Sequence, residues 1–108
     1  YKRQATKSVT NGTPVQLLSW SGAARMGSLT VFASNGTDMF WADFKISSIS
    51  GTGLSVPTIT SGISLGTFDV VAGGSGETII EFTPAATMAN LVFTYQYVAA
   101  VGGQPTVL

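Results

Sequence analysis

Short apolar runs alternate with turn residues along the whole chain, and no stretch keeps the period of an amphipathic helix. The runs are rich in Val, Ile, Thr, Phe and Tyr, which favour strands, and Gly, Ser and Thr dominate the gaps. Strands are predicted at residues 5–10, 15–20, 28–34, 37–47, 54–60, 66–72, 77–83 and 90–100. This spacing predicts an all-β protein, an antiparallel β-sandwich of jelly-roll or immunoglobulin-like type with about seven or eight strands.

One hairpin is predicted around Asn35-Gly36, a dipeptide that favours two-residue loops. Such a loop would place Phe32 opposite Met39. Because side chains alternate between the faces of a strand, each face of the hairpin can be read from the sequence. The predicted core face carries Leu29, Val31, Ala33, Phe40, Ala42, Phe44 and Ile46. The second face is mixed and carries Thr30, Phe32, Met39, Trp41, Asp43 and Lys45.

More apolar surface is present than a single core needs. Residues 90–101 are apolar on both faces of the predicted strand, and the mixed face of the hairpin adds an apolar cluster. Soluble monomers rarely expose large apolar patches, so we expect these surfaces to bind a partner. The candidate interface or ligand surface consists of Phe32, Met39, Trp41, Phe93, Tyr95 and Tyr97. Three interpretations of Trp41 stay open: a subunit interface, ordinary packing, and a platform for a sugar ring.

Charged residues are scarce and unevenly placed. They make up 9% of the 108 residues, with five of each sign, so the net charge is zero. A net charge of zero gives no excess of basic residues of the kind that binds nucleic acid. Residues 46–68 and 82–108 carry no charge, which favours a surface of small polar residues or one covered by a partner. Three of the five basic residues crowd the start, where a basic arm over about residues 1–8 is predicted before a single domain covering 1–108.

The chain contains neither histidine nor cysteine. This removes the commonest general base, thiolate chemistry, disulfides and Cys- or His-based metal sites. Asp38 and Asp43 point to opposite faces of one strand, and Glu77 and Glu81 are about 13 Å apart at strand rise. We therefore expect no enzyme activity, no catalytic residue, no metal and no cofactor. No run approaches the ~18 apolar residues of a membrane-spanning helix, so membrane insertion is not expected.

Three stretches together resemble the small β-sandwich domains of phage virion-surface proteins. They are GSLTVFASN, FWADFKISSISG and ETIIEFTPAATMANLVFTYQYVAAV, and the resemblance spans roughly residues 8–101. Such domains occur in tail fibres, receptor-binding tips and capsid decoration proteins. The resemblance implies a non-enzymatic virion domain that forms a homotrimer and contacts other virion proteins. It further implies binding to a host cell-surface glycan or protein.

Two alternatives to a virion domain stay open. A carbohydrate-binding module of a secreted protein and an immunoglobulin-like adhesin of a bacterial surface would have a similar strand pattern. Both would place the protein outside the virion.

Overall fold

The computed structural model describes residues 2–20, 25–48, 54–55, 58–62, 65–73 and 77–108. These residues form ten strands in two antiparallel sheets, which confirms the predicted all-β sandwich. No helix that could span a membrane occurs in the described ranges. The strands are β1 (Lys2–Val9), β2 (Val15–Trp20), β3 (Arg25–Ser34), β4 (Met39–Ser48), β5 (Leu54–Ser55), β6 (Thr58–Gly62), β7 (Gly66–Ala72), β8 (Thr78–Pro84), β9 (Met88–Val101) and β10 (Thr106–Val107).

The large sheet has six strands in the order β1-β9-β3-β4-β5, and β6 also pairs with β4. The small sheet has four strands in the order β10-β2-β8-β7. Strand β9 is 14 residues long and pairs with both β1 and β3, so it lies inside the large sheet. One side of β9 is buried, whereas Val98 on the other side is exposed.

The core lies between the sheets and is crossed by a row of aromatic rings. Phe44 of the large sheet contacts Phe68 of the small sheet with ring centroids 6.0 Å apart. Phe68 contacts Phe82 at 5.0 Å, and Phe82 contacts Phe93 of the large sheet at 5.2 Å. Edge and tilted ring contacts of this kind add to the free energy gained from burial alone. The row therefore fixes how the two sheets face each other.

A buried polar contact also joins the sheets. The Arg25 side chain, on β3, is 3% exposed and donates a hydrogen bond of 2.8 Å to Oγ1 of Thr78, on β8. Trp20 packs edge-on against Tyr97 in the same core, with ring centroids 5.3 Å apart. Burying a charged group is costly unless it is hydrogen-bonded, so the Arg25 contact stabilises one arrangement of the sheets over others.

The predicted hairpin forms, but its register differs from the prediction by two residues. Phe32 lies opposite Trp41, and the turn is centred on Gly36 and Thr37. The side-chain oxygen Oδ1 of Asn35 accepts hydrogen bonds from the backbone N–H of Thr37 (2.9 Å) and of Asp38 (2.7 Å). Asn35 is therefore the residue before the two loop residues, and its side chain stabilises the turn. Gly36, the first loop residue, adopts a positive φ of 93°. The prediction took Asn35 and Gly36 as the two loop residues, because Asn-Gly is common in two-residue turns.

The predicted faces of this hairpin are nevertheless correct. A shift of two residues preserves the alternation of side chains, whereas a shift of one would have reversed it. The side chains buried on the core face are Leu29, Val31, Ala33, Ala42, Phe44 and Ile46. The side chain of Phe40, also predicted in the core, lies outside the described part of the structure.

The predicted N-terminal arm is wrong for residues 2–8, which belong to β1 at the edge of the large sheet. Ala5 lies opposite Phe93, and Ser8 Oγ donates a 2.7 Å hydrogen bond to the carbonyl oxygen of Ala89. Lys7 reaches the carbonyl oxygen of Leu108 at 2.8 Å. Basic side chains are compatible with an edge strand, because they stay in water while the backbone pairs. They also discourage pairing with a further chain.

Two other boundaries differ from the prediction. The run at 54–60 forms two short strands, β5 and β6, that both pair with β4, and residues 56–57 between them lie outside the described part. Strand β10 was not predicted, because its two residues carry no periodic signal of their own. It pairs with Ser19 and Leu18 of β2 only after the chain has returned to the small sheet.

Truncating Phe44 tests the assignment of the core face. Phe44→Ala should lower the free energy of unfolding by ~3–5 kcal/mol, because it removes a buried ring and leaves a cavity. Urea denaturation measures this loss, and Lys45→Ala, on the opposite face, should remain close to wild type. A loss below about 1 kcal/mol for Phe44→Ala would mean that the ring does not support the core.

The burial of Tyr97 predicts that the free energy of unfolding decreases at alkaline pH. Burial raises the pKa of its phenol above the ordinary value near 10, and Trp20 and the Arg25 charge oppose this shift only in part. The unfolded chain therefore loses the Tyr97 proton first as the pH rises. Stability must fall as pH increases past 10, by up to about 1.4 kcal/mol per pH unit from this group. Urea unfolding between pH 8 and 11 should show a shallower decline for Tyr97→Phe, and equal slopes would contradict the assignment.

Candidate functional site

The side of the large sheet that faces away from the core, here called the outer face, brings side chains of four strands into aligned rows. One row consists of Gln4 on β1, Thr94 on β9, Phe32 on β3 and Trp41 on β4. The next row contains Gln96, Thr30 and Asp43, and the row after it contains Val98, Ser28 and Lys45. The registry of the strands thus assembles one surface from residues far apart in sequence.

One end of the outer face carries the aromatic cluster, defined as Phe32, Trp41 and Met39. The rings of Phe32 and Trp41 are cross-strand neighbours with centroids 6.2 Å apart and planes inclined by 43°. Both side chains are half-buried, and Met39 beside them is 54% exposed. The structure therefore brings these three predicted surface residues together, and each remains partly exposed.

The middle of the outer face is a polar band in which hydroxyl, amide and charged groups pair across strands. Oγ1 of Thr30 donates a 2.7 Å hydrogen bond to Oδ1 of Asp43. Nζ of Lys45 donates to Oγ of Ser28 at 2.9 Å. Both Asp43 and Lys45 are exposed, as is Gln96 between β1 and β3. The cross-strand bonds orient Asp43 and Lys45 in the rows that follow the aromatic cluster.

The opposite end of the outer face, here called the apolar end, exposes aliphatic side chains. Val98 is 67% exposed, Met26 48% and Val101 47%. An open groove of about 440 Å³ runs beside Met26 and Val98 and is also lined by Ala100 and Lys45. The most exposed side chains of this patch are apolar, so its chemistry differs from that of the polar band.

Phe93, Tyr95 and Tyr97 do not belong to any surface, which corrects their prediction as interface or ligand residues. Each is 0% exposed, because the side of β9 that carries them faces the small sheet. The other side of β9 contributes Thr94, Gln96 and Val98 to the outer face, directly beside β3. The outer side of β9 and the mixed face of the hairpin therefore form one continuous surface.

The small sheet places two carboxylates side by side, an arrangement that the sequence reading missed. Asp69 on β7 lies directly opposite Glu81 on β8, and Gln16 on β2 lies on the other side of Glu81. Oδ1 of Asp69 accepts a 2.8 Å hydrogen bond from the backbone N–H of Val70. The sequence does not indicate this pair, because pairing between distant strands leaves no local signal. Among the described residues, no group of three or more metal-ligating side chains forms.

No protein-family model matches the chain, and no curated protein matches it in sequence. Two solved structures have a similar fold. One is the tailspike protein of Acinetobacter phage vB_ApiP_P1, with a TM-score of 0.64 and 13% identity, covering 99% of this chain. The other is a tailspike protein of Acinetobacter baumannii bacteriophage Fri1, a capsular polysaccharide depolymerase, with a TM-score of 0.69 and 10% identity over 99% of this chain. This chain spans only 22% and 19% of their respective lengths.

The second likeness corrects one prediction. The expectation of no enzyme activity is corrected: a similar fold forms part of a capsular polysaccharide depolymerase, so this fold does not exclude a place in an enzyme. The expectation relied on the absence of His and Cys, which excludes only the chemistry of those side chains, and on two carboxylate pairs whose members lie too far apart to act together. Hydrolysis of glycosidic bonds uses pairs of carboxylates and requires neither residue.

Because Asp69 and Glu81 are like charges on neighbouring strands, removing the charge of one of them should slightly stabilise the protein. Like charges directly opposite each other on a sheet are destabilising by roughly 0.2–1 kcal/mol. Glu81→Gln should therefore raise the urea midpoint at low ionic strength, and added salt should shrink the gain. Glu77→Gln, which removes a carboxylate outside this pair, is the matched control. A lower midpoint for Glu81→Gln than for wild type would show that the carboxylate has a favourable partner.

Proposed function

We propose that this chain is a β-sandwich module of a phage tailspike-type protein that acts at the bacterial surface. The observation that supports it is the likeness in fold to two phage tailspike proteins over 99% of the chain. The module corresponds to about a fifth of each of those proteins, so we place it within a longer tail protein on the virion. The scarcity of charge in the chain and the three distinct zones of the outer face fit a module that contacts other molecules on that side.

The proposal extends to the activity of the longer protein. One of the similar structures is a capsular polysaccharide depolymerase, and we propose that the protein containing this module also cleaves bacterial polysaccharide. The exposed outer face would then be presented to the same surface on which the longer protein acts.

Assembly as a homo-oligomer, with a trimer expected, is part of the same proposal. The apolar end supplies the surface for a second copy, because Val98, Met26 and Val101 are all about half exposed or more. Apolar residues are enriched in the cores of homo-oligomer interfaces, and charged residues are depleted there. Each zone borders one charged side chain, Lys45 at the apolar end and Asp43 at the aromatic cluster. The apolar end is favoured because its aliphatic side chains are more exposed than the two aromatic rings.

A charge placed in the apolar end tests the assembly. Sedimentation at micromolar concentration should give a trimer for wild type and a monomer for Val98→Asp, since a buried carboxylate without a partner costs several kcal/mol. Ala86→Asp introduces the same group at an exposed turn and should remain trimeric. A monomeric wild type would refute the assembly.

A second experiment tests the proposed location and activity. Antibodies raised against this chain should label the tails of phage particles in electron micrographs. The full protein that contains the chain should release oligosaccharides from purified bacterial capsular polysaccharides. Labelling absent from purified particles would contradict a place on the virion, and intact polysaccharide after incubation would contradict the cleavage.

A further inference from the structure

We propose that the aromatic cluster and the polar band together form a binding site for a polysaccharide of the bacterial surface. Sugar rings would lie on the exposed parts of Trp41 and Phe32, and their hydroxyl groups would meet Asp43, Gln96 and Lys45. The source of the polysaccharide rests on the proposed function, whereas the position of the site rests on the geometry of the outer face.

The two rings are held as a platform. Trp41 and Phe32 support each other across β4 and β3 with centroids 6.2 Å apart, and both are half-buried. A ring fixed by a neighbour loses little conformational entropy when a ligand binds on its open side. The apolar C–H face of a sugar ring fits such a surface, as ligand sites generally combine aromatic walls with a few placed polar groups.

The polar band supplies groups that match hydroxyls. A sugar hydroxyl both donates and accepts hydrogen bonds, so its site needs both kinds of partner. Asp43 offers acceptor oxygens, Lys45 offers donors, and the amide of Gln96 offers both. Asp43 is already oriented by Thr30, and Lys45 by Ser28. The band begins one row from Trp41, about 7 Å along the strand, so one chain of sugars can contact both zones.

The charges of β4 distinguish a polysaccharide from a second copy of this chain at this position. Asp43 and Lys45 lie two and four residues after Trp41, so all three share the outer face, and both charged side chains are exposed. A protein surface packed over Trp41 would remove water from them, which costs free energy unless each gains a partner. A polysaccharide is narrow and carries its own hydroxyl groups, so it can cover the rings and still satisfy both charges.

The test is binding of the purified chain to an array of bacterial capsular and O-antigen polysaccharides, followed by titration of the best-bound one. Wild type should bind at least one polysaccharide. Trp41→Ala should weaken that binding about tenfold or more, as expected for a central aromatic contact. Trp41→Phe keeps a ring and should retain most of the affinity, and Asp43→Asn should weaken binding in the same titration. Leu108→Ala, which alters a side chain 42% exposed elsewhere, should bind like wild type.

Three results would overturn the site. They are no retention on any polysaccharide of the array, unchanged affinity in Trp41→Ala, and dissociation of the oligomer by Trp41→Ala without loss of polysaccharide binding. The last result would assign the cluster to a second copy of the chain. Circular dichroism and the urea midpoint of each variant distinguish lost binding from lost folding, and Trp41→Phe provides the same readout if Trp41→Ala unfolds.

The test of this binding site can fail or succeed independently of the test of the proposed function. Tail labelling without polysaccharide binding would leave the tail module in place and refute only this site. Binding that depends on Trp41, in a chain absent from phage particles, would support the site and refute the tail module.

Discussion

The contact between the aromatic rings of the two sheets is the interaction on which the rest of this structure depends. Phe44 and Phe93 from the large sheet enclose Phe68 and Phe82 from the small sheet in one continuous row. A short chain without disulfides or metal-binding cysteines must obtain its stability from such a core. Because the rings are fully or almost fully buried, they also decide which side of every neighbouring strand faces inward.

The outer face follows from that decision. Because one side of β9 is buried in the core, its other side lies on the outer face together with side chains of β1, β3 and β4. The registry then sets Trp41 beside Phe32, and Asp43 beside Thr30. Neighbouring rows have different chemistry, with rings at one end, paired polar groups in the middle and aliphatic side chains at the other end. A single sheet can therefore offer two kinds of contact without a loop of its own.

This fold tolerates wide divergence in sequence. The likeness to two phage tailspike proteins extends over nearly the whole chain although the identity is only 10–13%. Such divergence at a constant fold is expected where a core needs only apolar residues of suitable volume at alternating positions. The exposed residues between those positions can then vary without loss of the fold. Under the proposed function, the side chains of the outer face would set the specificity of binding.

The sequence by itself determined the all-β class, most strand positions and the faces of the β3–β4 hairpin, because alternation with period two is local. It could not determine the register of that hairpin, since Asn35 acts by accepting backbone hydrogen bonds and not as a loop residue. Nor could it tell which side of β9 is buried, as both sides are apolar. The Asp69–Glu81 pair and the edge position of β1 arise from pairing between distant strands. Only the tertiary structure decides such pairing, because no local pattern encodes it.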